Sequence, residues 1–396
     1  MKKRRVMVVT AGRHQAPLIL KAKALDCEVL ATDRDAGAAS FTHADRHAVV
    51  DSADGESLLS VARDFSPDAI LSEQTDIAIP AVAYVAEKLG LPGIGAEAAK
   101  RATDKFAMRE ACRQAGIPTP KFCLATTVGE VAAAAREIGF PLIVKPVDNQ
   151  ASRGVTKIKD ERDLAGAVAR AFLASRTHRI LFEELMIGPE LSVESFIADG
   201  VITVLGVSEK KKNEYPFPFD LELIYPGNYS IEHLTQIKAL NENVINAIGI
   251  SMGFAHAEMI LTANGPRLIE IAARGCGARI ATDLLPVLTG IDLLGARLSQ
   301  ALGDAVELPK VAYDTFGIVR FFELPEGRIR SINGVREAAS EPGIIHLDFV
   351  PVVGDRITKA QSGDQRPGFL IGVAKSRGAA SALADNVMRL VEVDVA

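Results

Sequence analysis

Two glutamates stand in the middle of a predicted β-hairpin that is otherwise apolar. The segment AHAEMILTANGPRLIEIAARGCGAR, residues 255–279, has the pattern of two strands around a turn, with Glu258 in one strand and Glu270 in the other. A two-residue Asn-Gly turn would place the acids on opposite faces, whereas a three-residue turn over 263–265 pairs them directly on one face. We favour the three-residue turn, because Gly265 then takes the left-handed position that such loops prefer.

Two carboxylates opposed in a sheet repel each other, and this repulsion must be offset. A divalent cation is the simplest solution, and oxygen ligands select Mg²⁺ or Mn²⁺. Few protein ligands are needed, because Mg²⁺ usually completes its coordination with water and phosphate. The alternative is that one of the two glutamates is exposed at a sheet edge and pairs with a lysine.

A metal held by two acids usually serves a phosphate, so the next features of interest are groups that bind phosphate. Lys145 ends the apolar strand GFPLIVKP, and a buried lysine needs a partner. The Ser-Arg-Gly turn in VDNQASRGVTKI follows it and is suited to offer backbone N–H groups to an anion. Each feature alone fits an ordinary strand end or an ordinary turn equally well.

The surrounding elements predict a chain of several α/β units, since 396 residues are too many for one ordinary domain. A strand at 5–10, a helix at about 16–25 and a strand at 28–32 predict a small parallel α/β unit. Its first loop, AGRHQA, lacks the GxGxxG glycines of a dinucleotide-binding site. Thr103 or Asp104 is expected to cap a helix that stops at Gly116.

Further along the chain, strands are predicted to dominate residues 122–158. Residues 209–230, EKKKNEYPFPFDLELIYPGNYS, are predicted to form a long loop rich in aromatic residues and proline, and such loops are often functional. From about residue 313 the pattern changes to short strands with glycine turns, and a helix at about 378–391 closes the chain.

Composition excludes several functional classes. With 48% hydrophobic and 24% charged residues, the chain has a globular composition, and no apolar run approaches the ~18 residues of a membrane span. The basic start is followed by an apolar run too short for a signal peptide. The four cysteines form no CxxC pair, so neither a zinc site nor a disulfide framework is indicated, and the net charge of -5 disfavours nucleic-acid binding. We therefore expect a cytoplasmic protein without nucleic-acid or membrane partners.

Six segments together resemble the ordered motifs of ATP-grasp enzymes: TDKFAMRE, PLIVKP, SRGV, LFEELMIGPELSVE, HAEMIL and LIEIAARGCG. The resemblance covers nearly the whole chain and is greatest to the L-amino-acid ligase branch, which shares the EIAAR type of strand end. The wider arrangement also resembles biotin carboxylase and the carboxyamino-imidazole ribonucleotide synthetases.

This resemblance implies a multidomain fold of the α/β and α+β classes. A Rossmann-like domain would span residues 1–95, an ATP-grasp domain 96–310 and a small C-terminal α/β domain 311–396. Within the ATP-grasp domain, the lid would span about 120–187, and the metal-binding core would span 96–119 and 188–310.

The resemblance also implies ATP and one or two Mg²⁺ or Mn²⁺ ions as cofactors. Glu258 and Glu270 would hold the metal, with Glu270 bridging two ions. Many relatives have Asn where this chain has Ala272, so a second ion would depend on Glu270, phosphates and water. For ATP, the resemblance implies two phosphate-binding lysines, Lys105 and Lys145, and a lid loop of Ser152, Arg153, Gly154 and Val155. It also implies a hinge strand beside adenine, Glu183, Glu184 and Leu185, and a ribose-binding acid, Glu190.

Similar enzymes use an arginine at the position of Arg274 to steady an acyl phosphate and the tetrahedral intermediate. A fixed guanidinium is a strong donor to developing negative charge, whereas the alternative for Arg274 is a surface salt bridge. Gly275 and Gly277 would let backbone N–H groups approach the reacting carboxylate. The implied reaction joins a small-molecule carboxylate to an amine: ATP converts the carboxylate to an acyl phosphate, and the amine displaces phosphate to form an amide. A homodimer is expected by analogy.

Substrate-binding residues are expected at three places. Glu222, in a segment that resembles the substrate loop of amino-acid ligases, would bind an amino group; Glu73 would contact substrate; and Arg279 would bind a carboxylate. The aromatic residues Tyr215, Phe217 and Phe219 would line a side-chain pocket or pack as a loop core. Three other features are expected to have no direct role in binding: the His43/His47 pair, a solvated charge run at 210–212, and His256 as a packing residue or second-shell neighbour of the metal.

Two other functions remain open from sequence. A carboxylase-type enzyme would activate bicarbonate as carboxyphosphate and carboxylate an amine. A nucleotide-binding protein without catalysis is favoured by Ala272 and disfavoured by the lysines, both glutamates and Arg274.

Overall fold

The computed structural model describes residues 3–213 and 216–396, which form five sheets. The first sheet is parallel, with strand order β3-β2-β1-β4, and helices cover its faces, which explains the unbroken apolar run of β1. The strand, helix and strand predicted for residues 5–33 are confirmed. The elements of this region are β1 (Arg5–Val9), α1 (Ala16–Ala24), β2 (Glu28–Asp33), β3 (Arg46–Val49), α2 (Gly55–Phe65), β4 (Ala69–Leu71) and α3 (Ile79–Leu89).

Two helices lead from the first sheet into a small antiparallel sheet of order β5-β8-β6-β7. Asp104, one of the two predicted caps, accepts a hydrogen bond from the Ala107 N–H at the start of α5. Helix α6 interrupts the segment predicted as strands, because its four consecutive alanines favour a helix. The elements are α4 (Ala96–Thr103), α5 (Lys105–Gln114), β5 (Phe122–Ala125), α6 (Val131–Ile138), β6 (Leu142–Pro146), β7 (Thr156–Ile158), α7 (Leu164–Ala174) and β8 (Ile180–Glu184).

A third sheet, of order β10-β9-β13-β14, packs its apolar face on α5 and α8. The long loop predicted over 209–230 is wrong in part, because residues 209–212 and 220–225 pair as two strands. The elements are β9 (Glu190–Ala198), β10 (Val201–Val207), β11 (Glu209–Lys212), β12 (Asp220–Tyr225), α8 (Ile231–Ile248), β13 (Gly253–Thr262), β14 (Gly265–Ala272), α9 (Leu285–Thr289) and α10 (Leu293–Ala301).

The β13–β14 hairpin pairs Glu258 directly with Glu270, as predicted. The predicted three-residue turn is wrong, however, since Thr262 pairs with Gly265 across a turn of two residues. Gly265 does take a positive φ of 94°. The two acids therefore share a face for a reason other than the turn length.

A β-bulge at Ile269 accounts for this pairing. Met259 pairs with Leu268, whereas the next residue of β13, Glu258, pairs with Glu270, so Ile269 is the extra residue of β14. The carbonyl oxygen of Ile269 accepts a hydrogen bond of 2.7 Å from the buried guanidinium of Arg109 on α5. A residue of another element thus holds the bulge that sets the register of the hairpin.

The C-terminal strands join β11 and β12 in a sheet of order β11-β12-β15-β19-β17, so this sheet crosses the domain limit predicted at residue 310. The last strand, β20, was not predicted and pairs with β16 in a separate small sheet. Among the helices of the described segments, none combines the length and the apolar composition that a membrane span requires. The elements are β15 (Phe316–Phe321), β16 (Gly327–Asn333), α11 (Val335–Ala339), β17 (Ile344–Phe349), β18 (Arg356–Ile357), β19 (Gly368–Ala374), α12 (Arg377–Leu390) and β20 (Glu392–Val395).

Candidate active site

A cavity of about 710 Å³, which we call the first cavity, lies between the antiparallel sheet of order β5-β8-β6-β7 and the β13–β14 hairpin. Along β13, Ile260 and Glu258 both face it, so its lining changes from apolar to charged within two residues. Most of the residues predicted to bind ATP line this cavity, namely Lys105, Lys145, Ser152, Val155, Glu183, Glu184, Leu185 and Glu190. The two exceptions are Arg153 and Gly154.

Three charged side chains are buried together at the wall of the first cavity. Glu183 accepts a hydrogen bond of 2.7 Å from Nε of Arg109 and lies 2.6 Å from Nζ of Lys145. Burial opposes the charge of Glu183, but Arg109 and Lys145 hold its pKa below the usual value. Sequence reasoning missed Arg109, although its spacing of four residues from Lys105 on α5 placed it on the same helix face.

The ammonium group of Lys145 is the least stabilised charge of this group. Burial, together with the charges of Arg109 and Lys105, lowers its pKa to about 8, and Glu183 offsets only part of this effect. Between pH 8 and the ordinary value of 10.5, the unfolded chain binds more protons at this lysine than the folded chain does. The lysine therefore makes the free energy of unfolding rise with pH across that window.

We expect the affinity for MgATP to fall as the pH rises above about 8. Bound phosphates favour charged Lys145, so binding takes up a proton once the free lysine is neutral, and the loss approaches about tenfold per pH unit. Isothermal titration calorimetry across this range measures the effect. The variant Lys145→Arg is the control, because its guanidinium stays charged and should leave the affinity independent of pH. A flat profile for the unmodified protein would contradict the expectation.

Glu258 and Glu270 face the first cavity from adjacent strands, and lysines offset their repulsion in the structure. Nζ of Lys105 lies 2.9 Å from Glu270, and Nζ of Lys210 forms an ion pair with Glu258. Burial opposes ionisation of Glu258, but Lys210 and the neighbouring His256 hold its pKa well below the usual value. Two carboxylates on one face, beside lysines suited to phosphate, fit a Mg²⁺ or Mn²⁺ ion.

The predicted solvated charge run at residues 210–212 is wrong. The alternation of β11 turns Lys210 and Lys212 to one face, where the side chain of Lys210 is only 1% exposed. Lys210 also lies 3.3 Å from Asp220, and Lys212 lies 2.5 Å from Glu190. These lysines therefore neutralise the acids of the site, including the glutamate predicted at the ribose.

Arg274 lies just past β14 and forms a two-point ion pair with Asp76. The distances are 2.5 Å from Nε to Oδ1 and 3.0 Å from NH2 to Oδ2, and NH1 donates to the Gly275 carbonyl. Burial opposes the charge of Arg274, but Asp76 raises its pKa above the usual value. Because Arg274 is buried, the surface salt bridge considered as an alternative is excluded. Asp76 was missed, although it belongs to the SEQTD segment from which Glu73 was chosen.

Glu73 is buried and holds the turn that carries Arg274. Its Oε2 accepts a hydrogen bond of 2.9 Å from the Gly275 N–H, and its Oε1 lies 3.6 Å from Nε of Arg297. Burial raises the pKa of Glu73. A Cβ on Gly275 would lie 2.6 Å from Cβ of Ala281, so this close approach requires glycine. The predicted contacts of Glu73 and the Gly275 amide with substrate stay predictions, since in this conformation the two groups bind each other.

A second cavity, of about 810 Å³, adjoins the first and shares Glu258 and Glu270 with it. Arg274 and Gly277 line it from the end of β14, and Asp220 lines it from β12. A ligand in the second cavity would therefore lie across the two glutamates from a nucleotide in the first. This arrangement suits a reaction between a small substrate and the phosphates of ATP.

Two of the predicted substrate residues are engaged elsewhere. Glu222 forms an ion pair with Arg320 across β12 and β15 and lines neither cavity. Arg279 forms a two-point ion pair with Asp283, with both distances 2.9 Å, while its immediate neighbours line the second cavity. Asp220, two residues before Glu222, is the acid of that segment that faces the cavity. Binding of substrate by Glu222 or Arg279 stays a prediction.

The aromatic residues of the predicted substrate loop lie in different environments. Phe219 is buried and lines the second cavity, whereas the ring of Phe217 lies 5.3 Å below the guanidinium of Arg170 on α7. Tyr215 lies outside the described residues. Only Phe219 of the described pair is therefore placed to contact a substrate.

A buried polar chain runs behind Glu258. Nε2 of His256 lies 3.7 Å from Oε1 of Glu258, and Nδ1 lies 2.9 Å from Oε1 of Glu194. Tyr225 donates to the same oxygen of Glu194, and Sγ of Cys276 lies 3.9 Å from Nε2 of His256. This network orients the imidazole beside the first metal glutamate.

The predicted lid loop, residues 148–155, is held from both sides. Gln150 accepts a hydrogen bond of 2.8 Å from the Asp76 N–H, and the Ala151 carbonyl accepts one of 2.9 Å from the Gly363 N–H. Arg153 donates to Asn149 within the loop, and a Cβ on Gly154 would lie 2.6 Å from Cβ of Ala174. Through Gln150 and Ser152 the loop lines both cavities.

Comparisons with known proteins show which families this chain is similar to. The ATP-grasp domain profile matches residues 138–283, and the profile of the L-amino acid ligase C-terminal domain 2 matches residues 320–396. The alanine–anticapsin ligase of Bacillus subtilis strain 168 is 30% identical over 278 residues, which cover 64% of this chain and 58% of that enzyme. This chain thus spans less than two thirds of that relative.

In two further matches, this chain covers a larger share of the matched protein than it does of the alanine–anticapsin ligase. The D-alanine–D-alanine ligase of Ectopseudomonas mendocina is 30% identical over 223 residues, which cover 51% of this chain and 70% of that enzyme. The crystal structure of an L-amino acid ligase from Bacillus licheniformis has a TM-score of 0.85 at 21% identity, covering 100% of both chains. At this level of identity, the structural match shows the same fold.

Proposed function

Because the chain belongs to the ATP-grasp family, we propose that it is an ATP-dependent carboxylate–amine ligase that forms an amide bond and releases ADP and phosphate. The observation that carries the proposal is the meeting of two cavities at Glu258 and Glu270, with Arg274 in the lining of the second cavity. Amino acids or similar metabolites are the proposed substrates, since a profile of the L-amino acid ligase C-terminal domain 2 matches residues 320–396.

In the first proposed step, a carboxylate in the second cavity attacks the γ-phosphate of ATP and forms an acyl phosphate. Lys105 and Lys145 line the first cavity and would balance the charge of the phosphates. Mg²⁺ or Mn²⁺ held by Glu258 and Glu270 would neutralise further phosphate charge. Lys105 would then exchange its ion pair with Glu270 for the phosphates.

In the second proposed step, an amine attacks the acyl phosphate and phosphate leaves. Arg274 is held in place by Asp76 and would stabilise the negative charge of the tetrahedral intermediate. The loop at 148–155 would exclude water, which otherwise hydrolyses the acyl phosphate. The chain's own contribution is thus positioning, charge balance and exclusion of water.

The test is to incubate the purified protein with ATP, Mg²⁺ and pools of amino acids, with and without bicarbonate. We expect ADP and phosphate only when amino acids are present, and a product whose mass equals two substrates minus water. Release that follows bicarbonate would instead support the carboxylase alternative, and AMP with pyrophosphate would contradict the acyl phosphate. Binding of ATP without turnover, unchanged in Glu270→Gln, would support a non-catalytic protein. The homodimer and the cytoplasmic location stay predictions, and sedimentation measures the first of them.

A further inference from the structure

A second group of metal-ligating side chains lies beside the glutamate pair, at the wall of the second cavity. One ligand atom from each of Glu194, His256 and Cys276 lies within 4.8 Å of the other two. Nδ1 of His256 is 2.9 Å from Oε1 of Glu194, and Nε2 of His256 is 3.9 Å from Sγ of Cys276. All three side chains are buried. The proposed ligase reaction uses none of the three directly, although His256 and Cys276 line the second cavity.

The sheet brings these three side chains together from distant parts of the chain. Pairing of β9 with β13 places Glu194 directly opposite His256, and directly opposed residues share one face of a sheet. Cys276 follows the end of β14, the neighbouring strand of the same sheet. The cluster contains a single cysteine, so the lack of a CxxC pair in the sequence does not exclude a metal here.

The cluster has a different chemistry from the pair Glu258 and Glu270. A thiolate, an imidazole and a carboxylate are the side-chain ligands that Zn²⁺ takes in proteins, whereas two carboxylates suit Mg²⁺. Zn²⁺ lies about 2.0–2.3 Å from such ligands, so the three atoms would move closer together around a bound ion. Since two of the ligands line the second cavity, an ion can reach the cluster from there.

A buried hydroxyl group near the cluster is unsatisfied. Oη of Tyr313 has no hydrogen-bond partner in the part of the chain that the structure describes. This hydroxyl would lie 2.7 Å from a Cβ on Gly206, which pairs with Glu194 across β9 and β10. Burial and the charge of Glu194 raise the pKa of Tyr313, so the hydroxyl stays a donor. Because an unsatisfied buried donor is costly, the surroundings of Glu194 favour a further polar ligand such as a hydrated ion.

We propose that Glu194, His256 and Cys276 form a Zn²⁺ site, and that Zn²⁺ bound there opposes the binding of MgATP. Nε2 of His256 lies 3.7 Å from Oε1 of Glu258, so an ion on this imidazole adds positive charge beside a glutamate proposed to hold Mg²⁺. The coupling is reciprocal, and each ion lowers the affinity for the other by about tenfold. The thiol and the imidazole release their protons to solvent as Zn²⁺ binds. The inference concerns binding and does not depend on amide formation.

The test titrates the purified protein with Co²⁺, which replaces Zn²⁺ in such sites and gives a thiolate charge-transfer absorption. We expect this absorption to saturate at one equivalent in excess Mg²⁺ and to disappear when Zn²⁺ is added. Cys276→Ser should abolish it and lower the affinity for Zn²⁺ at least about 10²-fold, since even groups that only orient a ligand contribute about 10–100-fold. Glu270→Gln should retain it, because Glu270 lies outside the cluster. Cys123→Ser is the matched control, a thiol on β5.

The absence of a thiolate absorption from the unmodified protein would overturn the inference, whether or not the Cys276→Ser variant folds. Absorption that persists in Cys276→Ser would also overturn it, because the ion would then be bound elsewhere. Calorimetry of MgATP binding, with and without Zn²⁺, tests the opposition between the two ions. Zn²⁺ should weaken MgATP binding about tenfold in the unmodified and Cys123→Ser proteins and much less in Cys276→Ser.

Equal weakening in Cys276→Ser would overturn the inference, because Zn²⁺ would then act at Glu258 and Glu270 or on the nucleotide itself. Failure of the proposed function has a different signature. A protein that binds Co²⁺ through Cys276 and binds no MgATP would overturn the proposed ligase and support the Zn²⁺ site.

Discussion

Replacing Glu270 by glutamine is expected to lower ATP-dependent turnover about 10³-fold while the protein stays folded. Glu270 lines both cavities and lies opposite Glu258, so it is placed to bind metal next to the phosphates and the reacting carboxylate. Glutamine keeps the size of the side chain but removes its charge. The contribution of a bound metal to transition-state stabilisation is several kcal/mol, which corresponds to the expected factor.

The measurement for Glu270→Gln is steady-state release of ADP with saturating substrates, accompanied by thermal unfolding with and without MgATP. The variant should lose most of the stabilisation that MgATP gives the unmodified protein. Glu242→Gln makes the same chemical change at an exposed position of α8 and should leave both measurements unchanged. Turnover within tenfold of the unmodified protein would exclude Glu270 as a metal ligand.

Replacing Glu183 by glutamine is expected to lower the free energy of unfolding by about 3–5 kcal/mol at neutral pH. Glu183 is the carboxylate that Arg109 and Lys145 share, and all three side chains are buried. Its loss leaves two buried cations without a counter-ion. The loss should be smaller above pH 8 than at neutral pH, because removal of Glu183 lowers the pKa of Lys145 further below its present value of about 8, and this lysine then releases its proton.

Urea unfolding at neutral pH and above pH 8 measures the effect of Glu183→Gln. Glu184→Gln is the matched control at the next position, where the carboxylate accepts a hydrogen bond of 3.2 Å from the Lys121 N–H. This control should change the free energy of unfolding by no more than about 0.5 kcal/mol. The double variant Glu183→Gln, Lys145→Met removes one of the two cations and should recover part of the stability. A loss below about 1 kcal/mol for Glu183→Gln would contradict the importance of the shared carboxylate.

The sequence was sufficient to predict features that depend on neighbouring residues. The buried first strand and the cap at Asp104 follow from local patterns of apolar and capping residues. The bulge at Ile269 does not follow from such patterns, because Arg109, which holds it, lies 160 positions away in the chain. The pairing of Glu258 with Glu270 was thus predicted correctly, but from a turn of the wrong length.

The remaining errors concern which charged residues face inward. Lys210 and Lys212 follow one another on one face of β11, and their burial depends on the packing of β11 against Glu190 and Glu258. Asp220 and Glu222 share a face of β12, so periodicity alone does not show that Asp220 reaches the cavity while Glu222 meets Arg320. Positions of this kind depend on contacts between strands that are distant in the sequence.

The bulge at Ile269 also has an evolutionary consequence. Because Ile269 is the extra residue of β14, loss of its codon would leave Met259 opposite Leu268 and Glu258 opposite Glu270. The direct pairing of Glu258 with Glu270 therefore survives a one-residue deletion at this position, although a deletion inside a regular strand would turn its side chains to the other face. The cost would fall on Arg109, whose donor would lose the carbonyl that it now meets. Related proteins can therefore differ by one residue in the length of this hairpin, provided that Arg109 or its hydrogen-bond partner changes as well.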